Sequence, residues 1–185
     1  MALKPIHQMT GYVWPAGIPI GQSWSDLFAL LYMIQNFQVE LFIEIGARHG
    51  GLAAMIVNYM EYAGGAYIGI ESDRELPDPR LKMRINRRAG HHFIVCDAFS
   101  ERCEVVLREA IRKADAAYPV LLYCDDGDKV REMHHFAPFL RPGDYLVAHD
   151  LGREIFLGDV GDIPGYLIKT GDYLAGADIL VMERA

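Results

Sequence analysis

The feature that most constrains the fold is a glycine-rich turn between an apolar strand and an apolar helix. The run Leu41–Ile43 is typical of a buried strand, and it leads through Glu44 and Gly46 to the pair Gly50-Gly51. The apolar stretch from Leu52 to Val57 then predicts the start of a helix. This arrangement is typical of a nucleotide-binding loop, because glycine lets the backbone approach a ligand and the helix N-terminus offers free N–H groups.

An acidic residue before the first glycine of this turn indicates the charge of the ligand. The dinucleotide fingerprint G-x-G-x-x-G is absent, since three residues separate Gly46 from Gly50 and Glu44 precedes both. A carboxylate would repel a pyrophosphate but attract an ammonium or sulfonium group. The turn resembles the first motif of class I S-adenosylmethionine-dependent methyltransferases. The alternative is a glycine-rich turn in another kind of α/β protein.

Composition excludes several classes of protein. A chain of 185 residues suits one domain, and its formal net charge of −7 argues against binding to nucleic acid or to an anionic membrane surface. The sequence lacks an apolar stretch of transmembrane length and a signal peptide, and its three cysteines fit no metal motif. We therefore expect a cytoplasmic protein with reduced thiols and no membrane partner.

The first 22 residues differ in composition from the rest of the chain. Six prolines and glycines interrupt residues 1–22, yet the segment is too apolar for a free tail. We predict an irregular arm that is a lid over the site, a docked structural segment or an oligomer contact. The last of these alternatives would make the protein a homo-oligomer. Residues 23–185 are predicted to form a single domain.

Strands and helices alternate along the predicted domain. Helices are expected at Leu27–Phe37, 50–62, Glu101–Ala114 and Val130–Leu140, with at most a short helix in 72–90 and a loop at 151–165. Strands are expected at 41–46, Ala66–Ile70, His92–Cys96, Pro119–Cys124, Tyr145–Ala148, Tyr166–Lys169 and Asp178–Met182. Such alternation predicts a Rossmann-like α/β fold, with a mostly parallel seven-stranded sheet, a terminal antiparallel hairpin and helices on both faces.

Acidic residues follow the predicted strands at their carboxyl ends, where open parallel sheets bind ligands. Glu71 follows the second strand about 25 residues after Gly46, which suits a ribose-binding acid. Asp97, with Ala98 beside it, follows the third strand and is assigned to the adenine. The fourth strand runs into Asp125-Asp126-Gly127-Asp128-Lys129, and the fifth ends in His149-Asp150. Three carboxylates within four residues are costly unless they are solvated or paired with a cation.

Two longer stretches carry a more specific resemblance. The segments from Leu122 to Glu132 and from Phe136 to Asp150, with the lead-in Gly17–Gln22, look like the cephalosporin hydroxylase/rhamnosyl O-methyltransferase group, which are small-molecule O-methyltransferases of class I. The resemblance implies binding of S-adenosylmethionine and of a divalent ion, with Mg²⁺ as the candidate. The cofactor-binding residues it implies are Glu44, Gly46, Ala47, Arg48, Gly50, Glu71, Ser72, Asp97, Ala98 and Asp125.

The same resemblance suggests where the metal and the methyl acceptor bind. Asp125 and Asp150 are the expected metal ligands, Asp126 is the substitute for Asp125, and His149 is a third ligand or a general base. Lys129 is a further candidate base, or an exposed helix residue. His149 departs from the catechol-type relatives, which carry an acid there, and imidazole suits Mg²⁺ less well than oxygen does.

The expected function is methylation of a hydroxyl on a small molecule such as a sugar, a polyphenol or another natural product, assisted by a divalent metal. The alternatives are a metal-independent methyltransferase, a nucleotide-binding oxidoreductase, and a relative that keeps the fold without the chemistry. The sequence does not specify the methyl acceptor.

Overall fold

The computed structural model describes Ile18, residues 20–75 and residues 77–185, so most of the predicted N-terminal arm lies outside the described residues. The helices are α1 Trp24–Asn36, α2 Gly51–Ala63, α3 Pro79–Asn86, α4 Glu101–Lys113, α5 Lys129–Phe136 and α6 Leu157–Val160. The strands are β1 Leu41–Ile45, β2 Ala66–Glu71, β3 His91–Val95, β4 Val120–Cys124, β5 Tyr145–His149, β6 Tyr166–Ile168 and β7 Ile179–Arg184.

The seven strands form one sheet in the order β3-β2-β1-β4-β5-β7-β6. Strands β1 to β5 are parallel, and β7 runs antiparallel to both β5 and β6. The predicted fold class, including the antiparallel pair at the end of the chain, is therefore confirmed. The strand order reverses between β1 and β4, and parallel sheets open a ligand crevice at such a point.

Two apolar cores cover the faces of the sheet. In β1, Leu41, Ile43 and Ile45 pack into a core with residues of α4 and α5. Phe42, between them, packs on the opposite side with residues of α1, α2 and α3. Successive strand residues point to opposite faces, and a strand buried on both faces is largely apolar, as β1 is apart from Glu44. The helices on both faces were predicted.

Some local boundaries differ from the prediction for physical reasons. The helix expected over Val130–Leu140 ends at Phe136 and continues as a 3₁₀ turn, Ala137–Phe139, which contains Pro138. Proline lacks the N–H that an α-helix needs at that point. The predicted loop 151–165 contains α6, which has four residues and is too short to give a periodic pattern. No helix within the described part of the chain is long and apolar enough to span a membrane.

Candidate active site

A cavity of about 690 Å³ lies at the carboxyl ends of β1, β2, β4 and β5. Most of the predicted site residues line it: Glu44, Gly46, Ala47, Arg48, Glu71, Ser72, Asp125, Asp126, Lys129, His149 and Asp150. Gly50, Asp97 and Ala98 are not among its lining residues. We call the part of the cavity wall that contains Glu44 and Glu71 the β1–β2 side. The part that contains Asp125, His149 and Asp150 is the β4–β5 side.

Gly46 is the point where the turn after β1 meets the chain after β4. Its φ is +85°, and a Cβ at this position would lie 2.6 Å from both the carbonyl oxygen of Asp125 and the nitrogen of Asp126. A side chain here would be strained and would push the two sides of the cavity apart. Gly50 also has a positive φ, of 86°, and it caps α2. Its role is therefore to start the helix behind the cavity wall.

Glu71 is buried and is held by the turn that follows β1. Its Oε2 accepts a hydrogen bond of 2.6 Å from the Arg48 N–H, and its Oε1 accepts one of 2.8 Å from the Asp73 N–H. Oε1 also accepts a longer hydrogen bond, of 3.4 Å, from the Ser72 hydroxyl. A carboxylate has about four lone-pair positions, so Glu71 can still accept a hydrogen bond from a ligand. The structure therefore presents Glu71 as a fixed acceptor on the cavity wall.

Glu44 lies in the sheet itself and is only 2 % exposed. The Tyr67 hydroxyl donates a hydrogen bond to its Oε2, and the adjacent strand position is occupied by Gly69, where a side chain would collide with the Tyr67 ring. Burial, supported by the charges of Asp125 and Glu71 and opposed by the Tyr67 hydrogen bond, raises the pKa of Glu44 to about 8. The raised pKa favours the protonated carboxyl near neutral pH, and an approaching cation would favour the ionised form.

Asp97 and Ala98 follow β3, the outermost strand of the parallel part of the sheet. The Asp97 side chain is exposed and accepts a hydrogen bond of 2.9 Å from the Phe99 N–H, whereas Ala98 is buried in the core beside α4. The assignment of these two residues to the adenine stays a prediction.

The β4–β5 side gathers three groups that can bind a metal. His149 Nδ1 lies 3.1 Å from Asp125 Oδ1 and 3.3 Å from Asp150 Oδ2. One ligand atom from each of Asp125, His149 and Asp150 falls within 4.8 Å of the others. Asp126 lines the cavity but does not belong to this group. The donor set is two carboxylates and one imidazole.

Lys129 supplies a positive charge to this cluster from the first turn of α5. Its ammonium lies 3.3 Å from Asp150 Oδ2, 3.9 Å from Asp125 Oδ1 and 2.5 Å from Glu154 Oε2. The residue is 5 % exposed, which excludes the interpretation as an exposed helix residue. Although burial lowers its pKa, the hydrogen bond with Glu154 and the charges of Asp125 and Asp150 raise it above the ordinary value.

His149 is enclosed between carboxylates on both ring nitrogens. Its Nε2 lies 3.4 Å from Oδ2 of Asp26, in the first turn of α1. Asp26 is 1 % exposed and accepts hydrogen bonds of 2.8 Å from the Ser23 N–H and 2.7 Å from the Asp178 N–H. Burial lowers the pKa of His149, but the hydrogen bonds with Asp125 and Asp26 outweigh it and raise the pKa to about 10.

The sequence analysis missed four residues that the structure places at the site. Gln22 donates a hydrogen bond to Asp125, Tyr67 to Glu44, Asp26 contacts His149 and Glu154 contacts Lys129. An acid in the first turn of a helix, as Asp26 is in α1, is common because it interacts favourably with the helix dipole, so it gives no sequence signal for a site. Gln22 lay within the lead-in Gly17–Gln22, so it alone had a sequence signal.

Comparison with known sequences places this chain among O-methyltransferases. The family model described as Rhamnosyl O-methyltransferase/CmcI matches residues 8–155. The rhamnosyl O-methyltransferases of Mycobacterium bovis (strain BCG / Pasteur 1173P2) and Mycobacterium tuberculosis (strain ATCC 25618 / H37Rv) are 28 % identical over 142 residues, which cover 72 % of this chain and 55 % of each relative. The chain thus spans about half the length of these curated relatives.

Solved structures show the same fold. A structure of CmcI with SAH has a TM-score of 0.70 at 15 % identity and covers 100 % of this chain and 88 % of the other. A structure of CmcI with Mg and SAM has a TM-score of 0.67 at 14 % identity and covers 94 % and 76 %. A putative caffeoyl-CoA O-methyltransferase from Staphylococcus aureus has a TM-score of 0.64 at 15 % identity and covers 91 % and 86 %. The family model covers most of the chain, and the chain belongs to the Rhamnosyl O-methyltransferase/CmcI family.

Proposed function

We propose that this protein is an S-adenosylmethionine-dependent methyltransferase that acts on a hydroxyl of a small molecule. The observation that carries the proposal is that Glu44, Glu71 and Asp125, which lie at or near the carboxyl ends of three different strands, line one cavity. An acidic crevice of this kind attracts the ammonium and sulfonium charges of the methyl donor. Its volume of about 690 Å³ lies within the range of small-molecule sites.

The relatives suggest the class of acceptor. The curated relatives are rhamnosyl O-methyltransferases, and their name points to a sugar hydroxyl; a polyphenol or another natural product is the wider class. The chain covers 55 % of these relatives, so residues that they use to hold the rest of a substrate can lie outside the matched region. The proposal is therefore a hydroxyl-bearing small molecule, with a sugar as the first acceptor to test.

The β1–β2 side suits the methyl donor. Glu71, fixed by the N–H groups of Arg48 and Asp73, can accept hydrogen bonds from the two ribose hydroxyls. Glu44 can lose its proton as a cationic group arrives, because the new charge offsets the cost of burying the carboxylate. Methyl transfer is a displacement in line with the S–CH₃ bond, so the protein contributes mainly by positioning donor and acceptor.

The β4–β5 side suits the acceptor. Asp125, His149 and Asp150 fit a divalent ion by number, charge and spacing of their donor atoms. A divalent ion bound there would lower the pKa of an acceptor hydroxyl and orient it. His149 and Lys129 line the same side, but their raised pKa values favour the protonated form of both near neutral pH. Either residue can take up the hydroxyl proton only after it has lost its own. Ligation by His149 requires loss of a ring proton, so metal affinity is expected to rise with pH.

The position of Lys129 supports a metal-independent alternative. Its ammonium already contacts Asp150 and Glu154 and lies near Asp125, and a fixed cation there can stabilise a developing alkoxide. On this alternative the methyl transfer rate does not change when divalent ions are removed by a chelator.

Two measurements test the proposal. Calorimetry with S-adenosylhomocysteine should show micromolar binding, and absence of binding would reject it. Transfer of a labelled methyl group from S-adenosylmethionine should then be followed with rhamnose-containing glycosides and with catechols. Chelator and divalent ions added to the same assay separate metal-dependent from metal-independent transfer. Binding without transfer to any hydroxyl compound would favour a non-catalytic relative.

A further inference from the structure

We propose that the metal group of this protein, formed by Asp125, His149 and Asp150, selects a transition-metal ion such as Co²⁺ or Zn²⁺ over Mg²⁺ through Nδ1 of His149. Asp26 is the positioning residue that makes Nδ1 the ligand atom. The inference rests on the metal-binding part of the proposed function. It differs from the metal of one solved neighbour, which is described with Mg and SAM.

The donor set itself favours such an ion. Two carboxylates and one imidazole make up the group of Asp125, His149 and Asp150. Mg²⁺ requires oxygen ligands in near-ideal octahedral geometry, whereas imidazole suits zinc and its neighbours in the first transition row. The nitrogen at residue 149 therefore weakens the site for Mg²⁺ and strengthens it for those ions.

The geometry indicates which ring nitrogen binds. Nδ1 of His149 lies 3.1 Å from Asp125 and 3.3 Å from Asp150, whereas Nε2 lies 3.4 Å from Asp26. Both ring nitrogens therefore face carboxylates when no metal is bound. An ionised carboxylate can only accept hydrogen bonds, so when an ion replaces the proton on Nδ1, Asp26 still holds the proton on Nε2. Metal-binding histidines commonly have their other nitrogen fixed by a carboxylate in this way.

Asp26 is itself held in place. It is 1 % exposed, and backbone N–H groups of Ser23 and Asp178 donate to its two oxygens at 2.8 Å and 2.7 Å. These contacts connect the start of α1 with the residue before β7. The side chain therefore has little freedom to turn away from the imidazole.

Lys129 must give way when the ion binds. Its ammonium lies 3.3 Å from Asp150 and 2.5 Å from Glu154. The Glu154 side chain is 56 % exposed, so the ammonium can keep this partner while it moves away from the ligand cluster. The inference thus requires a side-chain movement at Lys129 and loss of the Nδ1 proton of His149.

The decisive experiment is NMR of the full chain labelled with ¹⁵N-histidine, titrated with Zn²⁺ alone and with Mg²⁺ alone. The chain has seven histidines, and the signals absent from His149→Glu identify those of His149. We expect Zn²⁺ to shift Nδ1 of His149 to the metal-bound position while Nε2 remains protonated. Binding through Nε2, or Zn²⁺ binding that leaves both His149 nitrogens unchanged, would overturn the proposal.

Selectivity is measured by calorimetry with Co²⁺ and Mg²⁺. We expect the ratio of their affinities to fall at least about tenfold in His149→Glu, because the all-oxygen site favours Mg²⁺. The matched control is His134→Gln, an exposed histidine on α5, which should leave the ratio unchanged. An equal ratio in wild type and His149→Glu would contradict the inference. If His149→Glu does not fold, His149→Gln identifies the His149 signals in the spectra, and the wild-type affinities for Co²⁺ and Mg²⁺ measure the selectivity.

Asp26→Asn tests the positioning role. We expect metal affinity to fall about 10-fold to 100-fold, and the metal-bound signal to divide between Nδ1 and Nε2, which loss of stability alone would not produce. A uniform Nδ1 complex of unchanged affinity would show that Asp26 has no such role. S-adenosylhomocysteine binding, measured separately on wild type, distinguishes failure of this inference from failure of the proposed function.

Discussion

The two sides of the cavity hold their acidic groups in opposite ways. On the β1–β2 side, Glu44 and Glu71 are contacted by neutral donors, namely the Tyr67 hydroxyl and backbone N–H groups. On the β4–β5 side, Asp125 and Asp150 lie beside the charged Lys129 and beside His149. On the β1–β2 side, positive charge must therefore come from the ligand. On the β4–β5 side, Lys129 already supplies a positive charge.

This difference fits the two halves of a methyl transfer reaction. A donor that brings positive charge needs an acidic but uncompensated side, and the raised pKa of Glu44 suits this requirement. An acceptor hydroxyl brings no charge, so the protein must provide the cation that stabilises the oxygen as it loses its proton. Four substitutions test the comparison, from the largest expected effect to the smallest.

Removal of the charge at Asp125 should affect the β4–β5 side most. We expect Asp125→Asn to lower the methyl transfer rate by about a thousandfold, or about 4 kcal/mol, because the site loses a metal ligand and the partner of His149. The matched control is Asp126→Asn, next in the chain and outside the metal group, with a loss below about fivefold. Steady-state kinetics with labelled donor measures both, and equal losses would contradict the assignment of Asp125.

Glu44 should make stability depend on pH. Its pKa is raised from 4.5 to about 8, so its contribution to stability is full below about pH 4.5 and is lost as the pH rises to about 8. We expect the free energy of unfolding to fall by about 4 kcal/mol more in wild type than in Glu44→Gln between about pH 5 and pH 9. Urea denaturation at both pH values measures this, and parallel curves would show that Glu44 is ionised in the free protein.

Glu71 should affect donor binding specifically. We expect Glu71→Gln to weaken S-adenosylhomocysteine binding by about 2 kcal/mol, because hydrogen bonds to a charged group are replaced by weaker ones. Glu75→Gln, an exposed residue in the same connection, is the control and should bind as wild type does. Calorimetry gives both values. Unchanged binding in Glu71→Gln would show that Glu71 does not bind the ribose of the donor.

Substitution of Lys129 should have the smallest effect on the free energy of unfolding, and a bound metal should reverse it. We expect Lys129→Gln to lower the free energy of unfolding by about 1 to 2 kcal/mol in chelator, because nearby carboxylates lose a buried cation. A saturating divalent ion should restore most of that loss, since it supplies the missing charge. Thermal unfolding with and without Co²⁺ measures both effects. If a divalent ion did not restore the lost free energy of unfolding, the role of Lys129 would be packing and not charge compensation.

Much of the site could be read from strand ends. Glu71, Asp125 and the pair His149-Asp150 each follow or end an apolar run, and parallel strands bring their carboxyl ends to one edge. Asp26 could not be found in this way, because it lies on a helix before β1 and contacts His149 across 123 positions. Asp97 had the same signal as Glu71 but does not line the cavity, since a strand-end pattern does not tell which strands flank the crevice.

The sequence by itself determined the alternation of strands and helices, the acidic glycine turn and the edge of the sheet at which the acids gather. These follow from local periodicity and from the backbone freedom of glycine, which a short window of sequence contains. Only the tertiary structure decided that burial raises the pKa of Glu44, that Lys129 is buried among carboxylates and that Asp26 contacts His149. Those properties depend on burial and on contacts between residues distant in the chain, where the free energy of a charge is set by its surroundings in space.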